Sequence, residues 1–210
     1  FMPSMDGGGV EKNLILISNY LSRYINNITL ITFDNKFNKY FSRKIKILNV
    51  KKNTTKPYSK YSKYFFCLLL LAKKIFFERK KYLVFSFQAN IYCIILSKIL
   101  NFDTIVRSNS SPKGWTKSYI KNLIFKIFFK YTKKVIVNSY EFKSQIDKQF
   151  NTNSAVIYNP LNKKEIQKLS KHKVRLKNFF SKKTLNIINI GRFTDQKDHI
   201  TLLKSLKMLN

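Results

Sequence analysis

The sequence predicts an α/β fold: a Rossmann-like parallel sheet with helices on both faces, followed by the first strand and helix of a second Rossmann-like domain. Two observations carry this expectation. From residue 10 to about residue 160, short apolar runs alternate with longer runs of helical periodicity. That alternation is the pattern of strand–helix–strand units feeding a parallel sheet. Near the end, residues 185–190 form a β-branched apolar run, then Gly191, a polar stretch and one more helical pattern. A new strand and helix begin there.

Taken in order, residues 10–25 read as a helix with Leu14, Ile17, Leu21 and Tyr24 on one face. The triplet Gly7-Gly8-Gly9 in front of it either brings backbone N–H groups close to a ligand or makes a plain tight turn. Residues 28–33 and 45–50 are strands, and residues 51–62, with Pro57, form a surface loop. Residues 64–79 form a helix that is apolar almost all round. Lys73, Lys74, Arg79, Lys80 and Lys81 gather at its end, where cations complement the helix dipole.

Residues 82–87 are a strand, 89–100 a helix and 104–109 the next strand. Arg107, Ser108 and Asn109 stand at that strand's carboxyl end, where open α/β sheets bind ligands. The helix over residues 115–131 carries an apolar face of Ile120, Leu123, Ile124, Ile127, Phe128 and Tyr131, flanked by lysines, with Trp115 at one end. The ordinary reading is a helix whose apolar face covers the sheet and whose lysines are solvated. The same composition also suits an element lying on an anionic membrane surface. Residues 133–139 are a strand, Ser139 caps a helix over 140–150, and a last strand over 154–158 is closed by Asn159-Pro160. Residues 163–183 are polar and lysine-rich, a surface connection with a helical hint at Ile166 and Leu169.

Composition narrows the function classes. The formal net charge is +31 over 210 residues. Of 41 basic side chains, 35 are Lys and 6 are Arg. Sequence-specific readers of nucleic acid rely on the planar Arg fork, so this ratio argues against such a role. Lys, Asn, Ile, Phe and Tyr all have A/T-rich codons, and codon bias accounts for most of the charge. Adhesion to an anionic membrane is its secondary consequence. Cys67 and Cys93 each sit in an apolar run and read as small buried hydrophobes in a reducing cytoplasm. No Asp-x-Asp pair or His/Cys cluster suggests a metal, and no cofactor is expected.

The segment after residue 190 has the makings of a phosphate site. Gly191 permits a tight turn, Arg192 and Lys197 supply positive charge, and Asp198 caps a helix faced by Ile200, Leu202, Leu203 and Leu206. Free N–H groups at a helix N-terminus and fixed cations attract an anion.

Gly191-Arg192 through Lys197-Asp198 resembles the opening of the donor-binding domain in retaining glycosyltransferases of family 4, which have the GT-B fold. Gly7-Gly8-Gly9-Val10-Glu11 resembles that family's glycine-rich loop, and residues 156–162 resemble its crossover between domains. The resemblance implies an acceptor-side domain over 1–162 with its first strand shortened. It further implies an interdomain connection over 163–183 and the start of a nucleotide-sugar-binding domain over 184–210, so the chain is expected to be a fragment. In such enzymes Arg192 and Lys197 would hold the donor diphosphate. Arg107, Asn109 and Ser139 would face the cleft, and a pair of glutamates would follow beyond residue 210. Family members often carry a His near residues 107–109; this chain does not, and no catalytic residue is singled out. The expected activity is transfer of a sugar from a nucleotide sugar to a glycan or lipid-linked acceptor. The expected setting is bacterial surface polysaccharide synthesis, in the cytoplasm or at the inner face of the plasma membrane. The competing class is a basic α/β protein that binds nucleic acid or membrane without catalysis. A dinucleotide-dependent dehydrogenase fits less well, because Gly7-Gly8-Gly9 lacks the Gly-x-Gly-x-x-Gly spacing.

Overall fold

The computed structural model describes residues 1–51, 58–110, 119–172 and 186–208. The chain divides into two compact units, Phe1–Asn162 and Lys163–Asn210.

The first unit is α/β and Rossmann-like. Its elements are α1 (Gly9–Leu21), β1 (Thr29–Thr32), β2 (Lys46–Asn49), α2 (Lys60–Glu78), β3 (Leu83–Ser86), α3 (Asn90–Leu100), β4 (Asp103–Arg107), α4 (Tyr119–Phe129), β5 (Lys134–Val137), α5 (Tyr140–Phe150) and β6 (Ala155–Val156). All the strand pairs are parallel: β1 with β2, and β3-β4-β5-β6 in that order. The sheet is therefore in two pieces, and residues 1–3 join them. The Phe1 amino group donates to Phe85 O at 2.7 Å, and Phe87 N–H donates to Phe1 O at 3.0 Å. On the other side, Met2 N–H donates to Ile31 O, and Phe33 N–H donates to Pro3 O, both at 3.1 Å.

Helices cover both faces. Neighbouring strand residues point to opposite sides. Leu30 packs in a cluster with Leu14 of α1 and Phe87, whereas Ile31 packs with Cys67, Leu71 and Ile75 of α2 and Cys93 of α3. A third cluster joins Val106 of β4 and Val135 and Val137 of β5 to Ile94, Phe129, Ile146 and Phe150 from α3, α4 and α5. Burial pushes the thiols of Cys67 and Cys93 up to about 12 and about 11, so neither is a nucleophile near neutral pH.

α4 departs from the ordinary expectation. Of the face expected to cover the sheet, Phe128 packs inward, together with Phe125 and Phe129, while Ile120, Leu123, Ile124, Ile127 and Tyr131 are exposed. The phenylalanines fill the core because each removes more apolar area from water than an isoleucine does. Trp115 lies outside the described residues.

In the second unit, α6 (Lys163–Ser170) forms at the helical hint of Ile166 and Leu169, and α7 (His199–Met208) follows a 3-10 turn over Asp195–Lys197. The strand expected over 185–190 is corrected. Residue 185 is outside the described residues, and residues 186–190 are not a strand, with Ile187, Ile188 and Ile190 exposed. β-branched composition favours a strand only where a neighbour supplies the ladder, and among the described residues none pairs with this run.

Candidate functional site

Parallel strands deliver their following loops to one edge of the sheet, the carboxyl edge. Residues 4–9 leave the residue 1–3 segment there, residues 87–90 leave β3, residues 107–110 leave β4 and residues 138–139 leave β5. A cavity of about 340 Å³ opens at this edge, lined among others by Lys60, Tyr64, Gln88, Asn90, Arg107 and Asn109.

Hydrogen bonds hold its floor in place. Ser86 Oγ shares its one proton between Gln88 O at 2.6 Å and Asn90 Oδ1 at 2.9 Å, and Asn90 Nδ2 donates to Arg107 O at 3.0 Å. Asn109 Nδ2 donates to Phe87 O at 3.2 Å, tying the end of β4 to the end of β3. The Oδ1 of Asn109 is buried and, among the described residues, has no partner. A buried acceptor left open at a cavity wall favours a guest that brings a donor such as a hydroxyl. Ala89, also on the wall, has φ of 57°, a left-handed conformation that costs a residue with a Cβ.

Arg107 is held at Nη2, while its buried Nε has no partner among the described residues. It is only 1% exposed, and its Nη2 donates to Ile157 O at 3.0 Å and to Asn159 Oδ1 at 2.9 Å. Burial lowers its pKa from the ordinary value. Its guanidinium stitches β4 to Ile157 and Asn159, the residues after β6.

The glycine loop is shaped by Glu11, which sequence reasoning did not single out. Glu11 is buried, and its Oε1 accepts from Asp6 N–H at 3.1 Å. A Cβ on Gly8 would stand 3.0 Å from Glu11 Oε2, and Gly7 has φ of 89°. Gly9 has open space around it. Gln88 connects this loop to the cavity, since its Oε1 accepts from Ser4 N–H at 2.9 Å. The structure thus gathers the glycine loop, Arg107 and Asn109 at one edge. Ser139 does not line the cavity; its Oγ accepts from Phe142 N–H at 3.1 Å as the cap of α5.

Arg192 and Lys197 belong to the second unit. Both are exposed, and neither has an ion pair among the described residues. The turn that carries them is held by His199. Its Nδ1 accepts from Asn189 Nδ2 at 2.9 Å, and its Nε2 donates to Arg192 O at 2.9 Å. One neutral tautomer satisfies both contacts. At Gly191 space is tight, and the backbone is not in the left-handed region. A Cβ there would stand 3.3 Å from Lys197 Cγ and 3.4 Å from His199 Cε1. Asp198 caps α7 by accepting from Thr201 N–H at 3.2 Å.

Sequence reasoning missed Gln88, Asn90 and His199, and it named Glu11 only as the end of the glycine motif, without a role. Gln88 and Asn90 follow the same rule that pointed to Asn109, being polar at the carboxyl end of a strand. Among the described residues, no group of three His, Cys, Asp or Glu side chains could hold a metal ion. Nor is any helix among them long and apolar enough to cross a membrane. A scan against protein-family models and a search of curated protein sequences return no match.

Proposed function

We propose that this chain belongs to a nucleotide-sugar-dependent glycosyltransferase, with the second unit contributing to donor binding and the carboxyl edge of the first to acceptor binding. The observation that carries the reading is the arrangement over residues 189–201. A glycine turn is locked by His199, Arg192 and Lys197 on it have no ion pair among the described residues, and a helix capped by Asp198 begins immediately after. Departure of a nucleoside diphosphate concentrates negative charge on phosphate oxygens. Arg192, Lys197 and the first N–H groups of α7 would meet that charge without reorganising.

At the carboxyl edge, amide side chains beside Tyr64 and Tyr92 suit a hydroxyl-rich acceptor, since rings cover apolar sugar faces while amides bond hydroxyls. In the loop of Gly7, Gly8 and Gly9, Gly9 has the open space through which a ligand would approach the backbone. Surface polysaccharide assembly at the inner face of the plasma membrane is the setting this reading favours.

The test is titration of the 210-residue chain with UDP-glucose, GDP-mannose and inorganic pyrophosphate, followed by ³¹P NMR. Lys197→Ala and Arg192→Ala should each weaken diphosphate binding by about tenfold, the worth of a charge-assisted hydrogen bond. Affinity unchanged in both variants would overturn the reading.

One observation favours a second reading, attachment to an anionic membrane surface. The outward strip of α4 is apolar, and Lys126 and Lys130 accompany it. The two readings are compatible, because lipid-linked acceptors lie at such a surface.

A further inference from the structure

The cavity at the carboxyl edge of the first unit gathers positive charge and no negative charge. The chain's 10 acidic residues are all among the described residues, and none of them lines the cavity. Two cations do, Arg107 and Lys60, and neither has an ion pair among the described residues. Arg107 is 1% exposed, and its Nη2 bonds go to neutral acceptors, Ile157 O and Asn159 Oδ1. Its buried Nε has no partner among the described residues. Burial lowers its pKa, and no carboxylate offsets that effect. A guanidinium taken out of water without an opposite charge is unfavourable, and an anion in the cavity supplies the missing charge.

Two helix N-termini strengthen the field. α2 begins at Lys60 and α3 at Asn90, both on the cavity wall, and neither helix has an acid in its first turn. A lysine at the start of α2 opposes the helix dipole, and an anion beside it relieves that opposition. No side chain caps α3, whose first residues, Asn90, Ile91 and Tyr92, line the cavity. Backbone N–H groups in that position have no partner within the helix and suit anionic oxygens.

The rest of the wall shows what carries the anion. Tyr64 and Tyr92 meet edge to face with ring centres 6.3 Å apart, and Lys60 Nζ lies 5.7 Å from the centre of the Tyr64 ring. Asn109 Oδ1 lacks a donor, while Gln88 Oε1 accepts from Ser4 N–H and so leaves the Gln88 amide N–H groups to donate. Rings for apolar faces, an open acceptor for a hydroxyl and cations for anionic oxygens match an acidic sugar. The volume, about 340 Å³, is at the small end for ligand sites.

We propose that this cavity binds a sugar bearing an anionic group, a carboxylate or a phosphoryl. Arg107, Lys60 and the first N–H groups of α3 meet the negative oxygens, and Asn109 accepts from a sugar hydroxyl. The proposal rests on the sugar-transfer reading for the occupant's role as acceptor, and it adds the acceptor's charge.

The experiment titrates the 210-residue chain with glucose, glucuronate and glucose 6-phosphate, followed by backbone amide shifts in NMR. Salt is held at about 0.15 M, where the screening length is about 8 Å. At least one acidic sugar should bind about tenfold or more tighter than glucose, with shifts concentrated over residues 87–92 and 107–109. Whichever does so identifies the anionic group. Lys60→Gln, a change at an exposed side chain, should reduce that preference by about threefold and leave glucose binding unchanged. Arg107→Gln should reduce it by about tenfold. Should Arg107→Gln fail to fold, Lys60→Gln and the ligand comparison decide. Acetate controls for the general charge of the chain and should not reproduce the shifts. Equal affinity for glucose and both acidic sugars overturns the proposal. So do a preference unchanged in Lys60→Gln and shifts spread over exposed lysines as acetate spreads them. Inorganic pyrophosphate, read over residues 189–201, separates the two readings. Pyrophosphate binding there without an acidic-sugar preference here overturns this proposal alone. Acidic-sugar binding here without pyrophosphate binding there upholds the site and removes the sugar-transfer reading.

Discussion

Asp147 shows how one side chain can fasten two elements. Its Oδ1 accepts from Ser154 N–H at 2.8 Å, and its Oδ2 pairs with Lys143 Nζ at 2.6 Å. Lys143 also donates to Ser154 O at 2.6 Å, closing the loop between α5 and β6. Burial alone would raise the Asp147 pKa, but the bonds from Lys143 and Ser154 outweigh it and hold it below the ordinary value. A folded-state pKa below the unfolded one contributes stability that is present above about pH 4 and lost as pH falls through the folded value. Asp147→Asn should therefore lower Tm by about 2–4 °C at pH 7, with the gap narrowing as pH falls below about 4. Thermal melts across pH check this, and a gap independent of pH would show that the carboxylate charge is not responsible. At the same scale, the sequence made Arg192, Lys197 and Asn109 legible by residue type and position. Glu11 and His199 were not legible, because their partners, Asp6, Asn189 and Arg192, are met only once the turns have closed.

Among the elements, strands and helices of the first unit were readable from periodicity, and the Ser139 cap was readable from its place before residues 140–150. α4 was not fully readable. Its apolar residues run nearly all round, so periodicity does not say which face meets the sheet. Packing against α3 and α5 selected Phe125, Phe128 and Phe129. Phe129 is 1% exposed and Ile127 is 44% exposed. Phe129→Ala should cost about 3–5 kcal/mol in chemical denaturation, the ordinary result of emptying an aromatic core site. Ile127→Glu should leave stability within about 0.5 kcal/mol. On vesicles containing phosphatidylglycerol, Ile127→Glu should weaken sedimentation by about tenfold if α4 is the contacting face. Equal vesicle binding by that variant and the parent chain would remove α4 from the membrane reading.

Over the whole molecule, charge is the dominant property. With +31 formal charges, long-range attraction to any polyanion is unavoidable at low salt. Raising salt from about 0.1 M to about 1 M shortens the screening length from about 10 to about 3 Å. Vesicle binding through lysines alone should vanish over that range, whereas binding anchored by the α4 strip should leave a salt-resistant remainder. Sedimentation at both salt concentrations separates the two. The same measurement with duplex DNA, which offers no apolar surface to α4, should leave no remainder.

The sequence by itself determined the α/β class, the order of the elements in the first unit and the concentration of polar residues at strand carboxyl ends. Those follow from local propensity and periodicity, which act over a few neighbouring residues. Only the tertiary structure decided that the sheet is in two pieces joined by residues 1–3, that Arg107 is bound to Ile157 and Asn159, and that the apolar run over 186–190 makes no strand. Each depends on a partner distant along the chain or on the lack of one, and backbone hydrogen bonds between strands are formed only where such a partner stands.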